Sequence, residues 1–258
     1  MLESIVPVIL TLNEDPNLGR VLSKLNWAKS IVVVDSFSDD RTEDIGRSFS
    51  NVSFHKRAFD CAANQWNFGA GLAAEIGDWI LALDADYLLS DGLVEELSRL
   101  TPDEDVMGYE VKFVYCIEGE PLKSSLYPAH TVMFRSGSGR FVQDGHTQRL
   151  SMQGRCDVLE HPIFHDDRKS WERWYRGQLR YARLEAEKIR GTSWANLSMS
   201  GKIRRIPLVS VALPPVYLML FKGLWRNGRY GLKYVWQRCV AEWLIQKALW
   251  SKAARGVS

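Results

Sequence analysis

Over the first 84 residues, short apolar runs alternate with segments that have the spacing of helices. The apolar runs are Val6–Leu12, Ser30–Val34, Val52–His55 and Trp79–Leu83. Continuous apolar runs of this length are typical of strands that are buried on both faces of a sheet. Helices are expected from Leu18, from Thr42 to Phe49 and from 61 to 75. The alternation predicts βαβ units, and therefore an α/β fold with a mostly parallel sheet flanked by helices.

The pattern changes after the fourth strand. Ser90 can cap the next helix, because its hydroxyl can accept a hydrogen bond from the first helical turn. The elements expected there are a helix to Leu100, a half-solvated strand at Tyr109–Phe113, a strand at Thr131–Phe134, a helix over 170–190 and a long helix over Arg229–Ala254.

Charge divides the chain into two parts. From Gly201 onward there are eleven Lys or Arg residues and one acid, Glu242. The tail therefore has a net charge of +10, which leaves −8 for residues 1–200 of a chain whose total is +2. This division predicts a main domain over 1–200 and a basic tail over 201–258 that meets an anionic surface, either nucleic acid or inner-leaflet lipid.

The tail also has the composition of a segment that contacts a membrane. Ile206–Phe221 is sixteen residues long without a charge, but it contains the pair Pro214–Pro215. A spanning helix needs about 20 apolar residues, and the proline pair is expected to break a helix, so an interface-lying or re-entrant segment is favoured. Trp236, Trp243 and Trp250 recur every seven residues among Lys and Arg, which favours a membrane-interface helix. The alternative is a helix that packs on the main domain.

Cysteine usage and the N-terminus favour the cytosol. The four cysteines are scattered without a C-x-x-C pair, which argues against a zinc ribbon or a disulfide framework. The first residues lack a basic stretch followed by an apolar one, so no secretory signal is expected.

Acidic residues follow two of the predicted strands. Asp84 and Asp86 end the fourth strand, and in an extended chain their side chains point the same way. Two such carboxylates suit Mg²⁺ or Mn²⁺ bound to a phosphate. Asp35 ends the second strand, where it can accept hydrogen bonds from a ribose or a base. Because Gly-rich phosphate loops are missing, these residues favour a nucleotide-diphosphate-sugar site over a dinucleotide or P-loop site.

These motifs resemble a known family. Val8–Glu14, Ile31–Thr42 and Trp79–Asp86 are similar to the inverting family 2 glycosyltransferases, which have the GT-A fold, a Rossmann-like α/β fold. The bacterial lipopolysaccharide-core β-glucosyltransferase-like branch is the most similar. Further matches at similar spacing are Gln65–Asn67, His146, His161–His165 and Gln178–Tyr181.

The resemblance implies a role for each matching residue. Thr11, Asn13 and Glu14 would line the nucleotide pocket. Asp35 would hold the base or the ribose, and Asp39 would support that loop. Gln65 and Asn67 would contact the nucleotide or shape its loop, although plain turn capping is the alternative for Asn13, Gln65 and Asn67. Asp86 would bind the metal directly, with Asp84 as its partner nearer the sugar or ribose.

The general base is less clear. The branch often has a His-Glu pair where this chain has His146-Thr147, so the glutamate is absent. Asp144 is the first candidate for the base and His146 is the second. His165 could reach the metal or the diphosphate, as late histidines do in many GT-A enzymes.

The function implied is metal-dependent transfer of a sugar from a nucleotide-diphosphate donor, with a UDP-sugar as the expected donor. The acceptor would be a lipid-linked saccharide or lipopolysaccharide at the cytoplasmic face of the inner membrane. Two alternatives remain: a sugar-phosphate nucleotidyltransferase, although the Gly-rich loop it would need after the first strand is missing, and a non-catalytic nucleotide-sugar binding protein. Nucleic-acid binding by the tail is less favoured, because the apolar run at 206–221 would have no use there.

Overall fold

The computed structural model describes residues 1–144, 147–206 and 208–253, and these form two compact units. The first comprises Met1–Cys116 and Leu126–Arg168. The second comprises Ile117–Ser125 and the described residues from Lys169 onward.

The strands and helices follow one another in chain order. The strands are β1 (Ile5–Thr11), β2 (Ile31–Asp35), β3 (Val52–Lys56), β4 (Trp79–Asp84), β5 (Tyr87–Leu89), β6 (Val106–Val111), β7 (Phe113–Ile117), β8 (Glu120–Pro121), β9 (His130–Arg135), β10 (Gly139–Asp144), β11 (Thr147–Met152), β12 (Arg155–Val158) and β13 (Ile163–His165). The helices are α1 (Leu18–Lys24), α2 (Thr42–Arg47), α3 (Ala62–Ala74), α4 (Asp91–Arg99), α5 (Trp171–Gly191), α6 (Met199–Arg204), α7 (Val209–Val216) and α8 (Gly228–Ala253).

A seven-stranded sheet with the order β12-β6-β9-β4-β1-β2-β3 forms the centre of the first unit. β1 is parallel to both β2 and β4, β2 is parallel to β3, and β9 runs antiparallel between β4 and β6. The register pairs Thr11 with Asp35 and Leu10 with Asp84. The carboxyl ends of three central strands therefore lie at one edge, and the predicted α/β fold with a mostly parallel sheet is confirmed.

Both faces of this sheet are covered because its central strands are apolar on both sides. Along β1, Ile5 and Ile9 belong to the core shared with α1, whereas Val6 and Val8 belong to the core shared with α3. The approach of α3 is close: a Cβ at Gly69 would lie 2.6 Å from Cγ1 of Val8. The apolar runs in the sequence are continuous because both faces of these strands are buried.

The strand predicted over Tyr109–Phe113 is two strands in the structure. The chain leaves the large sheet after Val111, and β7 begins at Phe113 in a second sheet, where β13 lies between β5 and β7. Val111 and Phe113 are both buried, so the apolar alternation continues through the break and the pattern could not reveal it. The cap predicted for α4 is confirmed, since the hydroxyl of Ser90 accepts from the Leu93 N–H at 3.2 Å.

The second unit is helical. α5 and α7 both pack on α8, and its apolar core includes Ala182, Ile189 and Leu244. The charge pattern predicts a boundary at residue 200, whereas the packing groups α5 with the tail because α5 lies along α8. Arg204 is at the centre of this unit: its guanidinium binds Glu185 at 2.8 Å and Glu242 at 2.6 Å.

The proline pair does not break the helix, contrary to expectation. Pro214 and Pro215 lie inside α7, which continues as a π-helix over Tyr217–Phe221. Proline has no N–H, so carbonyls one turn earlier lose their partners, and a wider turn accommodates the change. The N–H of Lys222 accordingly bonds to the carbonyl of Tyr217 at 3.0 Å, five residues back. Among the described residues, no helix combines the length and the apolar composition needed to cross a bilayer.

Candidate active site

Asp35 organises the loop that follows β2. Its carboxylate accepts from the hydroxyl of Thr11 at 2.8 Å and from the N–H of Ser38 at 2.8 Å, and the hydroxyl of Ser38 donates to it as well. The side chain is fully buried. These three donors leave the carboxylate room for a fourth hydrogen bond, but a direct contact with a base or ribose would require the loop to move, because Asp35 has no exposed surface.

The loops after β1 and β2 are joined to each other. The N–H of Asn13 donates to Oγ of Ser38 at 2.7 Å, and Oδ1 of Asn13 accepts from the N–H of Asp39 at 2.8 Å. Asn13 and Phe37 have φ values of 58° and 62°, in the left-handed region that favours glycine. Asp39 itself is exposed at this edge. In the structure the carboxylate of Asp35 makes the contacts that support the loop, whereas the side chain of Asp39 is exposed. The contact of Asp35 with a base or ribose and the role of Asp39 stay predictions.

Glu14 is held by a second pair of contacts between the same loops. Its N–H donates to Oγ1 of Thr42 at 2.7 Å, and Thr42 in turn donates to Asp40. Burial raises the pKa of Asp40, but hydrogen bonds from Thr42 and Asp15 together lower it more, so that its pKa is lowered overall. Glu14 is buried, and its carboxylate accepts a hydrogen bond from the amide of Asn17 at 3.0 Å.

Asn17 ties the β1–α1 loop to the segment after β13. Its amide nitrogen donates to Glu14 and to Asp167, both at 3.0 Å, and its oxygen accepts from the N–H of Arg168 at 2.9 Å. The side chain is fully buried. Three hydrogen bonds from one buried amide therefore fix two segments that are 150 residues apart in the sequence.

His165 and the acidic pair meet at the end of β4. The chain turns at Ala85 and Asp86 between β4 and β5, and Oδ2 of Asp86 lies 3.4 Å from Nε2 of His165. Burial lowers the pKa of His165, but the nearby carboxylates of Asp86 and Asp84 raise it more, so that its pKa is raised overall. Nδ1 of His165 is buried and has no hydrogen-bond partner in the described part of the chain.

Aromatic side chains surround His165. The ring centroids of Tyr115 and Tyr127 lie 4.7 Å from it, and that of Tyr87 lies 5.3 Å away. The hydroxyls of Tyr87 and Tyr127 are hydrogen-bonded to each other. Burial, reinforced by the charge of Asp84, raises the pKa of both phenols, so they remain protonated donors at neutral pH. The site combines carboxylates with neutral hydrogen-bond donors in a protected environment.

The residues at the end of β4 fit a divalent cation in their chemistry. Asp84 and Asp86 supply hard oxygen donors, and the buried Nδ1 of His165 is a polar atom that lacks a partner in the described part of the chain. Mg²⁺ commonly takes one or two carboxylates and completes its shell with water and substrate phosphate, and imidazole is also a ligand for transition metals. In the described ranges no three His, Cys, Asp or Glu side chains form a ready-made metal cluster.

Gln65 and Asn67, on α3, are held by protein groups. Gln65 donates to Oγ of Ser36 at 2.9 Å and to the carbonyl of Arg57 at 3.0 Å, which supports the loop after β2. Both ends of the Asn67 amide are bonded to the backbone of Phe141, at 2.8 and 2.9 Å. The structure therefore brings Gln65 to the edge that carries Asp35, whereas it uses Asn67 to attach β10 to α3.

One of the two candidates for the general base, Asp144, lies at the end of a hairpin strand. Asp144 is the last residue of β10 and pairs with Thr147, the first of β11. His146 lies outside the described residues. The role of base stays a prediction for both.

Several residues of this edge escaped the sequence analysis. They are Asn17, Thr42, Tyr115, Tyr127 and the pair Arg20–Asp166. A sequence signal existed only for Thr42, in the Ser38-Asp39-Asp40-Arg41-Thr42 stretch after β2, whose hydroxyls are typical of loop caps. The others act through contacts between distant segments, which a pattern along the chain does not show.

Comparison with known proteins gives the family. The model of the family described as Glycosyl transferase family 2 matches residues 7–148, more than half of the chain. The protein is a member of glycosyl transferase family 2. The match covers the three central strands and the loops described above, and the mostly parallel sheet has the GT-A-like architecture expected from the sequence resemblance. The lipopolysaccharide-core branch is a finer assignment that the family match leaves open.

Solved structures similar to this family 2 member are distant in sequence. TarS of S. aureus, residues 1–349 in complex with UDP, is 13% identical with a TM-score of 0.49, and the match covers 97% of this chain and 91% of that one. Glucosyl-3-phosphoglycerate synthase of Mycobacterium tuberculosis, in complex with Mn²⁺, UDP and glucosyl-3-phosphoglycerate, is 21% identical with a TM-score of 0.35, and 44% of each chain is covered. No curated protein matches the sequence.

Proposed function

We propose that this glycosyltransferase transfers a sugar, with inversion, from a UDP-sugar to a saccharide acceptor. The observation that carries the proposal is the meeting of Asp84, Asp86 and His165 beside the loops of β1 and β2, in a chain that belongs to glycosyl transferase family 2. In this reaction an acceptor hydroxyl attacks the anomeric carbon, the bond from that carbon to the diphosphate breaks, and the nucleoside diphosphate leaves.

The chain's residues have separate tasks in this proposal. The loops that carry Asn13 and Asp39 bind the nucleotide, and Asn17 keeps them in register with the segment after β13. Asp84, Asp86 and His165 would hold Mg²⁺ or Mn²⁺, and the ion would supply positive charge beside the leaving diphosphate. The phenols of Tyr87 and Tyr127 stay protonated, so they add no negative charge to that of the carboxylates.

A carboxylate or imidazole must take the proton from the acceptor hydroxyl. Asp144 and His146 are proposed for this task, in that order, and Asp144 is the last residue of β10, the strand that α3 holds through Asn67. Substitution of each residue separately, followed by measurement of transfer at saturating donor, distinguishes them.

The acceptor proposed is a lipid-linked saccharide or lipopolysaccharide, reached at the cytoplasmic face of the inner membrane. The support is the charge of the tail, which has eleven basic residues and one acid from Gly201 onward. Anionic headgroups attract such segments within a Debye length.

The proposed activity is tested with Asp86→Ala. We expect UDP with Mn²⁺ to raise the melting temperature of the parent, and the substitution to lower both that shift and the rate of sugar transfer, the latter roughly 100-fold or more. Asp105→Ala is the matched control, because Asp105 is an exposed acid whose carboxylate binds Arg155 at 2.9 Å. Undiminished transfer by Asp86→Ala would contradict the proposed metal site, and UDP binding without any turnover would favour a nucleotide-sugar binding protein.

A further inference from the structure

An apolar face on the second unit is open to solvent. Along α7 and the π-helix, exposed apolar side chains recur at helical spacing. We call this set the open apolar face: Val209, Leu213, Val216, Tyr217, Leu220 and Phe221. Leu220 and Phe221 are 72% and 76% exposed, which is unusual for side chains of this size in adjacent positions.

The orientation of this face is fixed by the opposite side of the same helix. Ser210 and Leu218 are buried, and Oγ of Ser210 accepts a hydrogen bond at 2.9 Å from Gln246 of α8. Ser210 and Leu218 therefore mark the covered side of this helix, whereas Leu213 and Leu220, which are 46% and 72% exposed, mark the side that meets solvent.

Cations follow this face along the chain. Lys222 lies over the ring of Tyr217 at 5.7 Å, and Arg226 lies over the ring of Trp225 at 5.1 Å. Arg229 comes one turn later. Trp225 is 58% exposed, so an aromatic ring and cations border the apolar residues, as they do in segments at membrane interfaces.

We propose that the open apolar face inserts into the headgroup and acyl boundary of an anionic bilayer, with the helix lying in the plane of the membrane. Lys222, Arg226 and Arg229 contact lipid phosphates while Leu220 and Phe221 enter the acyl region. The inference deepens the proposed membrane location and rests on it, but it does not depend on sugar transfer.

Charge favours a bilayer over a second copy of the chain. The open apolar face and the segment 222–229 contain no acid, so in a symmetric pair of these segments Lys222, Arg226 and Arg229 would find no carboxylate across the interface. A lipid surface supplies phosphates at the same depth as these cations. Binding to nucleic acid would leave the apolar side chains in water.

The test is sedimentation of the full chain with vesicles. One set is pure phosphatidylcholine and the other contains about 30% phosphatidylglycerol, so that only the second has the surface charge of an anionic leaflet. We expect binding to the anionic vesicles, and a roughly 100-fold lower partition coefficient for the double variant Leu220→Glu, Phe221→Glu. The triple variant Lys222→Gln, Arg226→Gln, Arg229→Gln should bind anionic vesicles about tenfold or more weakly and lose most of the salt dependence.

A matched control and a second measurement separate the outcomes. Ile76→Glu replaces an apolar side chain of the first unit that is 51% exposed, and it should bind vesicles like the parent. Equal binding by the double variant and the parent would overturn the proposal. It would also be overturned if the parent formed a dimer, the double variant did not, and the parent did not bind vesicles. Because the UDP–Mn²⁺ melting shift is measured on the same variants, its retention shows that a failure of vesicle binding is not a failure of the donor site.

Discussion

In the first unit the buried polar side chains lie at one edge of an apolar sheet, whereas in the second they lie between the helices. The buried polar residues of the first unit are Thr11, Glu14, Asn17, Asp35, Thr42, Gln65, Asp86 and Asp166. Each lies at the end of a strand, in the segment that follows a strand, or near the first turn of a helix. Those of the second unit are Glu185, Ser210, Glu242 and Gln246, around Arg204.

In the first unit, apolar contacts stabilise the fold and the buried polar side chains lie apart from them. In the second unit, the buried polar side chains themselves stabilise the fold. The sheet is already stabilised by apolar contacts on both faces, so the polar edge is available to a ligand. The helices of the second unit instead depend on ion pairs and hydrogen bonds at their centre. Substitutions of polar residues should therefore affect the two units differently. Two predictions test this, and a third compares helices of the two units.

The largest effect is expected for Arg204→Ala. The side chain is 16% exposed and binds both Glu185 and Glu242, so its loss removes the cation that joins two largely buried carboxylates, and Arg238 remains 3.6 Å from Glu242. Breaking a buried ion pair on one side costs about 3–5 kcal/mol. Urea unfolding followed by tryptophan fluorescence is the measurement, since most of the ten tryptophans lie in the second unit. Arg226→Ala is the exposed control, and a loss equal to that of the control would show that the network is solvated.

A smaller effect on stability, with an effect on binding, is expected for Asn17→Ala. The change leaves the N–H of Arg168 and the carboxylates of Glu14 and Asp167 without this amide, at a cost of about 2 kcal/mol. We also expect a smaller UDP–Mn²⁺ melting shift, because the two segments of the site are no longer held together.

Asn51→Ala is the matched control for that variant. Its side chain makes one hydrogen bond, to the carbonyl of Ala28, at 2.9 Å. It should lose less stability and retain the full UDP–Mn²⁺ shift. If both variants kept the shift, Asn17 would only stabilise the fold.

The smallest effect compares helices of the two units directly. A Cβ at Gly71 of α3 would meet nothing within 4 Å, and at Gly177 of α5 it would only approach Tyr181 at 4.0 Å. Gly→Ala at either position should stabilise the protein by up to about 1 kcal/mol, because only helix propensity changes. Gly69→Ala should destabilise it, because the new Cβ would lie 2.6 Å from Val8. Thermal melting measures all three, and stabilisation by Gly69→Ala would contradict the close packing of α3 on β1.

Much of the fold could be predicted because its signals are local. The strands of the central sheet are continuous apolar runs, and the helix caps and the acidic ends of β2 and β4 lie next to them in sequence. Predictions that depended on a single local rule were less successful. The proline pair was expected to end a helix, but a π-turn after Pro215 accommodates it.

The inner organisation of the site could not be predicted because it depends on long-range contacts. Ser38 determines that Asp35 is enclosed, and it does so together with Thr11 and Asn13 from another loop. Asn17 meets Asp167 across 150 residues, and the tyrosines around His165 come from separate segments. A motif gives the identity of such residues but not the partner that each one binds.

The left-handed conformation of Phe37 implies a trade-off between stability and activity. A bulky residue at φ 62° is strained by about 1–2 kcal/mol, and the ring, which is 59% exposed, gains little from packing. Selection for stability alone would place glycine there. Under the proposed function, the phenylalanine at this position, beside Ser38 and Asp39, marks a place where the protein gives up stability for the shape of its nucleotide-binding loop.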